Sequence, residues 1–172
     1  MLISKPGVDE YKPYAEAYIN KLPDDGQVME HLHNNMNMVL ALVGSLTEEQ
    51  LNYRYAPGKW SIKEVLIHIA DTERIFAYRA LRIGRGDTTP LPGFEQDDYV
   101  PASQAANRVI KSIVDEYESV RRATLTLLNA MPPAAFTNVT ACNNAPCSLR
   151  ALAYMIAGHE MHHVAIIKER YL

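Results

Sequence analysis

Apolar residues recur every three or four positions in four long stretches of this chain, the period of a helix with one buried face. The first stretch runs roughly from Gly26 to Leu46 and carries Val28, Leu32, Met36, Val39, Val43 and Leu46. Asp24 or Asp25 is placed to cap it. Thr47-Glu48-Glu49-Gln50 has capping-box form and predicts a short helical turn after it. The second stretch begins sharply. Pro57-Gly58 breaks the chain, Ser61 and Glu64 form another capping box, and Trp60 and Val65 stand at the positions of a hydrophobic staple. Its apolar stripe is Ile62, Val65, Leu66, Ile69, Phe76, Ala80 and Ile83, and Gly84 to Gly86 end it.

A third helix is predicted roughly from Ser103 to Met131, with Ala106, Ile110, Ile113, Tyr117, Val120, Thr124 and Leu127 on one side and Pro132-Pro133 as its stop. Ser148 is a good N-cap for a fourth, Leu149 to Leu172. Two long connections remain, Asp87 to Pro101 and Pro132 to Cys147. The first holds three prolines and the acidic-aromatic run Phe94-Glu95-Gln96-Asp97-Asp98-Tyr99. A connection of that length in a compact domain is often functional, so Phe94, Gln96 and Tyr99 are candidate walls of a pocket. No segment reads as a strand. The expectation is an all-α protein, one four-helix-bundle domain over residues 1–172, with a short packing helix before Gly26. The connections are long enough for a crossover topology.

Composition narrows the function. With 172 residues the chain can bury a real core. A net charge of −3 without a basic stripe argues against nucleic acid as the partner. There is no run of about eighteen apolar residues for a membrane span, and Met1 to Tyr14 lacks the apolar core of a secretory signal. Only two cysteines occur, Cys142 and Cys147, which reads as a pair of reduced loop thiols rather than a disulfide framework. A cytoplasmic enzyme or binding protein is expected.

The chemistry concentrates in His159-Glu160-Met161-His162-His163, three of the chain's six histidines. His159 and His163 are one helical turn apart and continue the seam of Leu152, Ile156 and Ile166. They stand where apolar residues belong, and buried imidazoles need polar partners. Two at this spacing suit one divalent ion. His68, at the edge of the second helix's inward face, is the candidate third ligand, and three neutral imidazoles leave open positions on zinc, nickel or a similar ion. Asp71, three residues on, is placed to orient His68. His162 is expected at the flank of the seam, and His31 and His33 at the surface. The competing reading is a set of hydrogen-bonded core histidines without metal. The same pentapeptide matches the H-E-x-x-H zinc-protease pattern, with Glu160 as base. However, only nine residues follow His163, with no histidine or aspartate among them. Glu160 is therefore expected to be solvated or to support the ligands from behind. The charged run Asp71, Glu73, Arg74, Arg79, Arg82 and Arg85 reads as an outer helix face.

The segments Gly58-Lys59-Trp60-Ser61-Ile62-Lys63-Glu64-Val65-Leu66-Ile67-His68-Ile69-Ala70-Asp71-Thr72-Glu73-Arg74, Pro92-Gly93-Phe94-Glu95-Gln96-Asp97-Asp98-Tyr99-Val100 and Gly158-His159-Glu160-Met161-His162-His163 resemble the DinB/YfiT-like superfamily. The resemblance covers roughly Gly26 to Leu172. It implies a bundle of down-up-up-down type, a zinc or nickel site on His68, His159 and His163, and a homodimer. It also implies a small-molecule substrate. Some members act as S-transferases or isomerases with low-molecular-weight thiols, and others carry the label of metal-dependent hydrolases. Thiol transfer is thus the first expectation and hydrolysis the alternative, with a non-catalytic metal-binding stress module as a third.

Overall fold

The computed structural model describes all residues, Met1–Leu172. Its elements are α1 (Glu16–Ile19), α2 (Val28–Gly44), α3 (Glu48–Asn52), α4 (Ile62–Gly84), α5 (Gln96–Ala102), α6 (Ile110–Asn129), strands β1 (Val139–Cys142) and β2 (Ala145–Ser148), and α7 (Leu149–Arg170). The caps of α3, α4 and α7 act as the sequence predicts, whereas α2 starts from Gln27 without a side-chain cap, and Asp25 accepts from the Gln27 N–H at 2.8 Å instead. Ser61 accepts from the Glu64 N–H at 3.3 Å while Glu64 reaches back to the Ser61 N–H at 2.7 Å. Ser148 accepts from the Ala151 N–H at 3.0 Å, and Thr47 and Gln50 close the box that starts α3.

Helix directions follow from which residues meet. Gly84 of α4 lies against Leu149, and His68 against His159, so α4 and α7 are antiparallel. Arg74 of α4 bonds Glu116 of α6, and Gly84 lies beside Met131, so α4 and α6 run parallel. Arg121 of α6 bonds the Leu32 carbonyl of α2, while Val39 and Val43 meet Ile113 and Val114, so α2 opposes α6. The bundle is therefore down-up-up-down. Consecutive α2 and α4 sit diagonally, as do α6 and α7. Two parallel neighbours need a connection that returns the length of the bundle, which is why residues 85–109 are so long.

Those connections depart from the sequence reading. Residues 139–148 form a hairpin, where no strand was expected. Asn143 and Asn144 both have positive φ (51° and 61°), which asparagine tolerates and a two-residue hairpin turn requires. Leu91 docks on it, donating to the Ala141 carbonyl and accepting from the Asn143 N–H, both at 2.8 Å. The helix expected from Ser103 starts only at Ile110. Ser103 instead closes α5, its hydroxyl donating to the Val100 carbonyl at 2.6 Å, and Gln104 turns left-handed at φ 50°.

The core has two apolar clusters, one around Phe76, Leu128 and Leu152, the other around Leu66, Ile113 and Ile167. Between them lies a polar layer. Arg121, fully buried, forks onto Glu73 (2.9 and 2.8 Å) and Glu160 (2.9 and 3.0 Å). The Tyr117 hydroxyl also donates to Glu160. Burial disfavours the charged guanidinium of Arg121, but the Glu160 and Glu73 charges more than offset it and hold its pKa above the ordinary value. Glu73 and Arg79, expected on an outer face, are 2% and 5% exposed. Arg74, Arg82 and Arg85 of that run face outward, Arg74 and Arg82 paired with Asp71 and Asp87. No helix is long and apolar enough to cross a membrane.

Candidate metal centre

Next to this layer, α4 and α7 bring three imidazoles together. His68 Nε2 and His163 Nε2 each lie 3.0 Å from His159 Nε2, and the three donor atoms fall within 4.8 Å of one another. The i, i+4 spacing on α7 stacks His159 over His163, and the antiparallel packing of α4 supplies His68 from the facing side. His68 and His159 are buried and His163 partly so. Burial disfavours the imidazolium form, lowering His68 to about 4 and His163 to about 3, and holding His159 well below its ordinary value, where the neighbouring rings add to the effect. All three are neutral at pH 7, the state in which a histidine donates a lone pair.

The donor set fits a first-row divalent ion. Nitrogens about 2.0–2.1 Å from one ion, at angles from right to tetrahedral, lie about 3 Å apart, the separation of the His68–His159 and His159–His163 pairs. Hydrogen bonding alone serves the three rings poorly. One ring nitrogen carries either one hydrogen or one lone pair, so His159 Nε2 cannot satisfy both neighbours at once.

Aromatic rings enclose the cluster. Trp60 lies 4.9 Å from the His68 ring, and Tyr18 stands edge-on to His159 at 5.3 Å and to His162 at 5.4 Å. Tyr18 comes this close because α7 has a glycine there. A Cβ on Gly158 would sit 2.0 Å from the Tyr18 carbonyl oxygen. Two clefts open on the cluster. One, of about 330 Å³, reaches His163 past Tyr55, Lys59 and Trp60. The other, of about 320 Å³, reaches His159 between Tyr18, Thr72, Phe94 and Gln96, with Arg79 also in its wall. Asp97 borders both, and its charge pulls His68 upward against the larger effect of burial.

The other candidates divide. Phe94 and Gln96 line the second cleft, whereas Tyr99 leans its ring on Phe94 at 5.8 Å and is 45% exposed outside it. Asp71 does not orient His68. It sits one position round the helix and bonds Arg74 at 3.2 Å, while the neighbour of His68 Nδ1 is the Thr72 hydroxyl at 3.5 Å. Glu160 is neither solvated nor beside the rings, because it points about 100° away into the Arg121 layer. His162 flanks the cluster against Tyr18, and His31 bonds Asp25 at 3.0 Å. Cys142 and Cys147 are free, buried thiols on the hairpin. Asp97 and Arg79 were missed. Asp97 is one acid among several in an irregular run. Arg79 had a signal, since it continues the face of His68, Thr72 and Phe76 at steps of four, four and three.

The sequence profile of the DinB superfamily matches residues 31–167. A protein of Oceanobacillus iheyensis named "Putative metal-dependent hydrolase" is 24% identical over 86% of this chain and 85% of its own length. One of the same name from Bacillus pumilus is 27% identical over 95% and 89%. A third, from Geobacillus thermodenitrificans, is 28% identical over 74% and 72%. Among solved structures, YfiT of Bacillus subtilis, described as a probable metal-dependent hydrolase with an unusual four-helix bundle topology, superposes with a TM-score of 0.71. The match covers 97% of this chain and 91% of that one at 17% identity.

Proposed function

Since this chain belongs to the DinB superfamily, we propose that it is a metal-dependent hydrolase whose divalent ion, zinc or nickel, is held by His68, His159 and His163. The observation that carries this reading is the convergence of three neutral imidazoles, His68 and His163 each 3.0 Å from His159 Nε2 and all three donors within 4.8 Å, where two clefts meet. When bound, an ion on such a tripod supplies Lewis acidity, polarising a carbonyl or phosphoryl group and acidifying water at neutral pH.

The chain's own residues do the rest. Tyr18 and Trp60 wall the rings from solvent and fix their orientation. Asp97, at the border of both clefts, is the carboxylate placed to take a proton from the attacking water. Asp97→Asn should lower kcat by about 10²–10⁴-fold while metal content stays at the wild-type level; an unchanged rate rules out that role.

Thiol transfer, the first expectation from the sequence, would use the same clefts, but the relatives are named for hydrolysis and hydrolysis therefore comes first. The test is to load the protein with zinc, nickel or manganese and follow cleavage of carboxylic ester, amide and phosphate ester panels. Ion-dependent cleavage is expected. His163→Ala should lower it by more than the roughly 10–100-fold that loss of an outer supporting partner costs. Conjugation of a low-molecular-weight thiol to an electrophile, with no cleavage of any panel member, would return the function to thiol transfer. Equal metal content in wild type and His163→Ala would remove the site itself.

A further inference from the structure

Arg79 is a buried cation without an anion. On the same helix Arg74 and Arg82 each pair with carboxylates, and the other buried arginine, Arg121, holds two. Arg79 is 5% exposed, yet it makes a single hydrogen bond, from Nη2 to the Pro92 carbonyl at 2.7 Å, and no ion pair. Its guanidinium lies beside Phe76 at 5.7 Å and Phe94 at 5.8 Å. Those two rings compensate only part of the lost hydration. No fully buried polar atom lacks a partner, so the unbonded Nε and Nη1 are not sealed off from the cleft that Arg79 lines. Nη2 has two hydrogens and gives one to Pro92, which leaves one fork, Nε with Nη2 or Nη1 with Nη2, for a ligand. A desolvated guanidinium with a free edge is costly unless an anion meets it. Tethering Pro92 does not need a charge. A planar fork that opens into a cleft is the arrangement that recognises oxyanions with two parallel hydrogen bonds.

The other end of the same cleft is His159. Arg79 stands eleven residues beyond His68 on α4, about 16 Å along the axis at ~1.5 Å per residue. Tyr18, Gln96 and Asn143 also line this cleft, together with the carboxylates Glu95 and Asp97, neither of which pairs with Arg79.

We propose that this cleft binds a small elongated molecule with an oxyanion group, carboxylate or phosphate, held by Arg79 at one end, its reacting group reaching the histidine cluster at the other. The second half rests on the proposed function; the Arg79 subsite does not. An internal counter-charge is the rival explanation, because the Cys142 and Cys147 thiols lie close enough to feel the guanidinium and the Glu95 and Asp97 carboxylates line the same cleft, although neither carboxylate makes an ion pair with it.

The test reads binding, not turnover. 4-Phenylbutyrate, its uncharged amide and 3-phenylpropyl phosphate are titrated calorimetrically into the full-length protein as purified. At least one anion should bind about tenfold or more tightly than the amide, and whichever binds better identifies the group. That preference should vanish in Arg79→Met, survive in His163→Ala, and survive in the Cys142→Ser/Cys147→Ser protein. Amide and anions binding alike to wild type would overturn the proposal without any variant. A preference lost in His163→Ala but kept in Arg79→Met would place the anion on the histidine cluster instead. An anion preference that appears or strengthens about tenfold or more only once the two thiols are replaced would make them the partner of Arg79 and overturn the proposal. Absence of hydrolysis would leave each of these readings standing.

Discussion

A histidine in water gains its proton near pH 6.5, but His68 resists until about 4 and His163 until about 3 because burial penalises the charged ring. Between those limits the unfolded chain binds more protons than the folded one, so falling pH favours unfolding. The contribution of these rings is complete above about pH 6.5 and drains away as pH drops through 4 toward 3. For His68 alone it is on the order of 3 kcal/mol. Urea denaturation of protein stripped of metal should therefore show a clear loss of stability between pH 7 and 4.5, smaller in His68→Gln. A midpoint that does not move over this window would mean the imidazoles are not held neutral. The same property explains the ligand set, since a ring that refuses a proton offers its lone pair to a metal.

At the scale of elements, the buried Arg121 layer sets which turns of α4, α6 and α7 face each other. Leucine-rich helices can slide by a turn with little penalty, whereas a guanidinium forked onto Glu73 and Glu160 has one register. That register is what carries His68 to His159. Arg121→Met leaves two carboxylates buried without their cation and should cost about 3–5 kcal/mol in chemical denaturation. Replacing Arg121, Glu73 and Glu160 together with apolar residues should recover most of that stability. If the layer fixes register, the stable triple variant nonetheless loses metal affinity. Full metal affinity in that protein would show that packing alone aligns the helices.

Across the whole molecule, an ion on His68, His159 and His163 ties together two helices that are far apart in the chain. Binding only the folded state, it adds about 2.7 kcal/mol when present at a hundred times its dissociation constant. For a chain of this size that corresponds to roughly 5–10 °C in Tm. Thermal unfolding with zinc or nickel and then with a chelator should show that difference, and His68→Ala should abolish it. An ion-induced shift that persists in His68→Ala would place the ion elsewhere.

The helical stretches, the caps at Ser61 and Ser148 and the one-turn spacing of His159 and His163 were legible along the chain because they depend on neighbours within about one turn. The resemblance matched the ligand set that spacing had already proposed and added the down-up-up-down order, which periodicity left open. The hairpin escaped because its strands are only four residues each and its turn is Asn-Asn rather than a glycine pair. Other features lay beyond local pattern altogether. Glu73, Arg79, Arg121 and Glu160 are ordinary charged residues until opposing helices take them out of water, and Asp97 is one acid among several until the crossover carries it, on α5, to the border of both clefts. Local geometry settles which residues share a face. Only the assembled bundle settles what that face meets, and the meaning of a charge depends on whether water or another side chain is there to meet it.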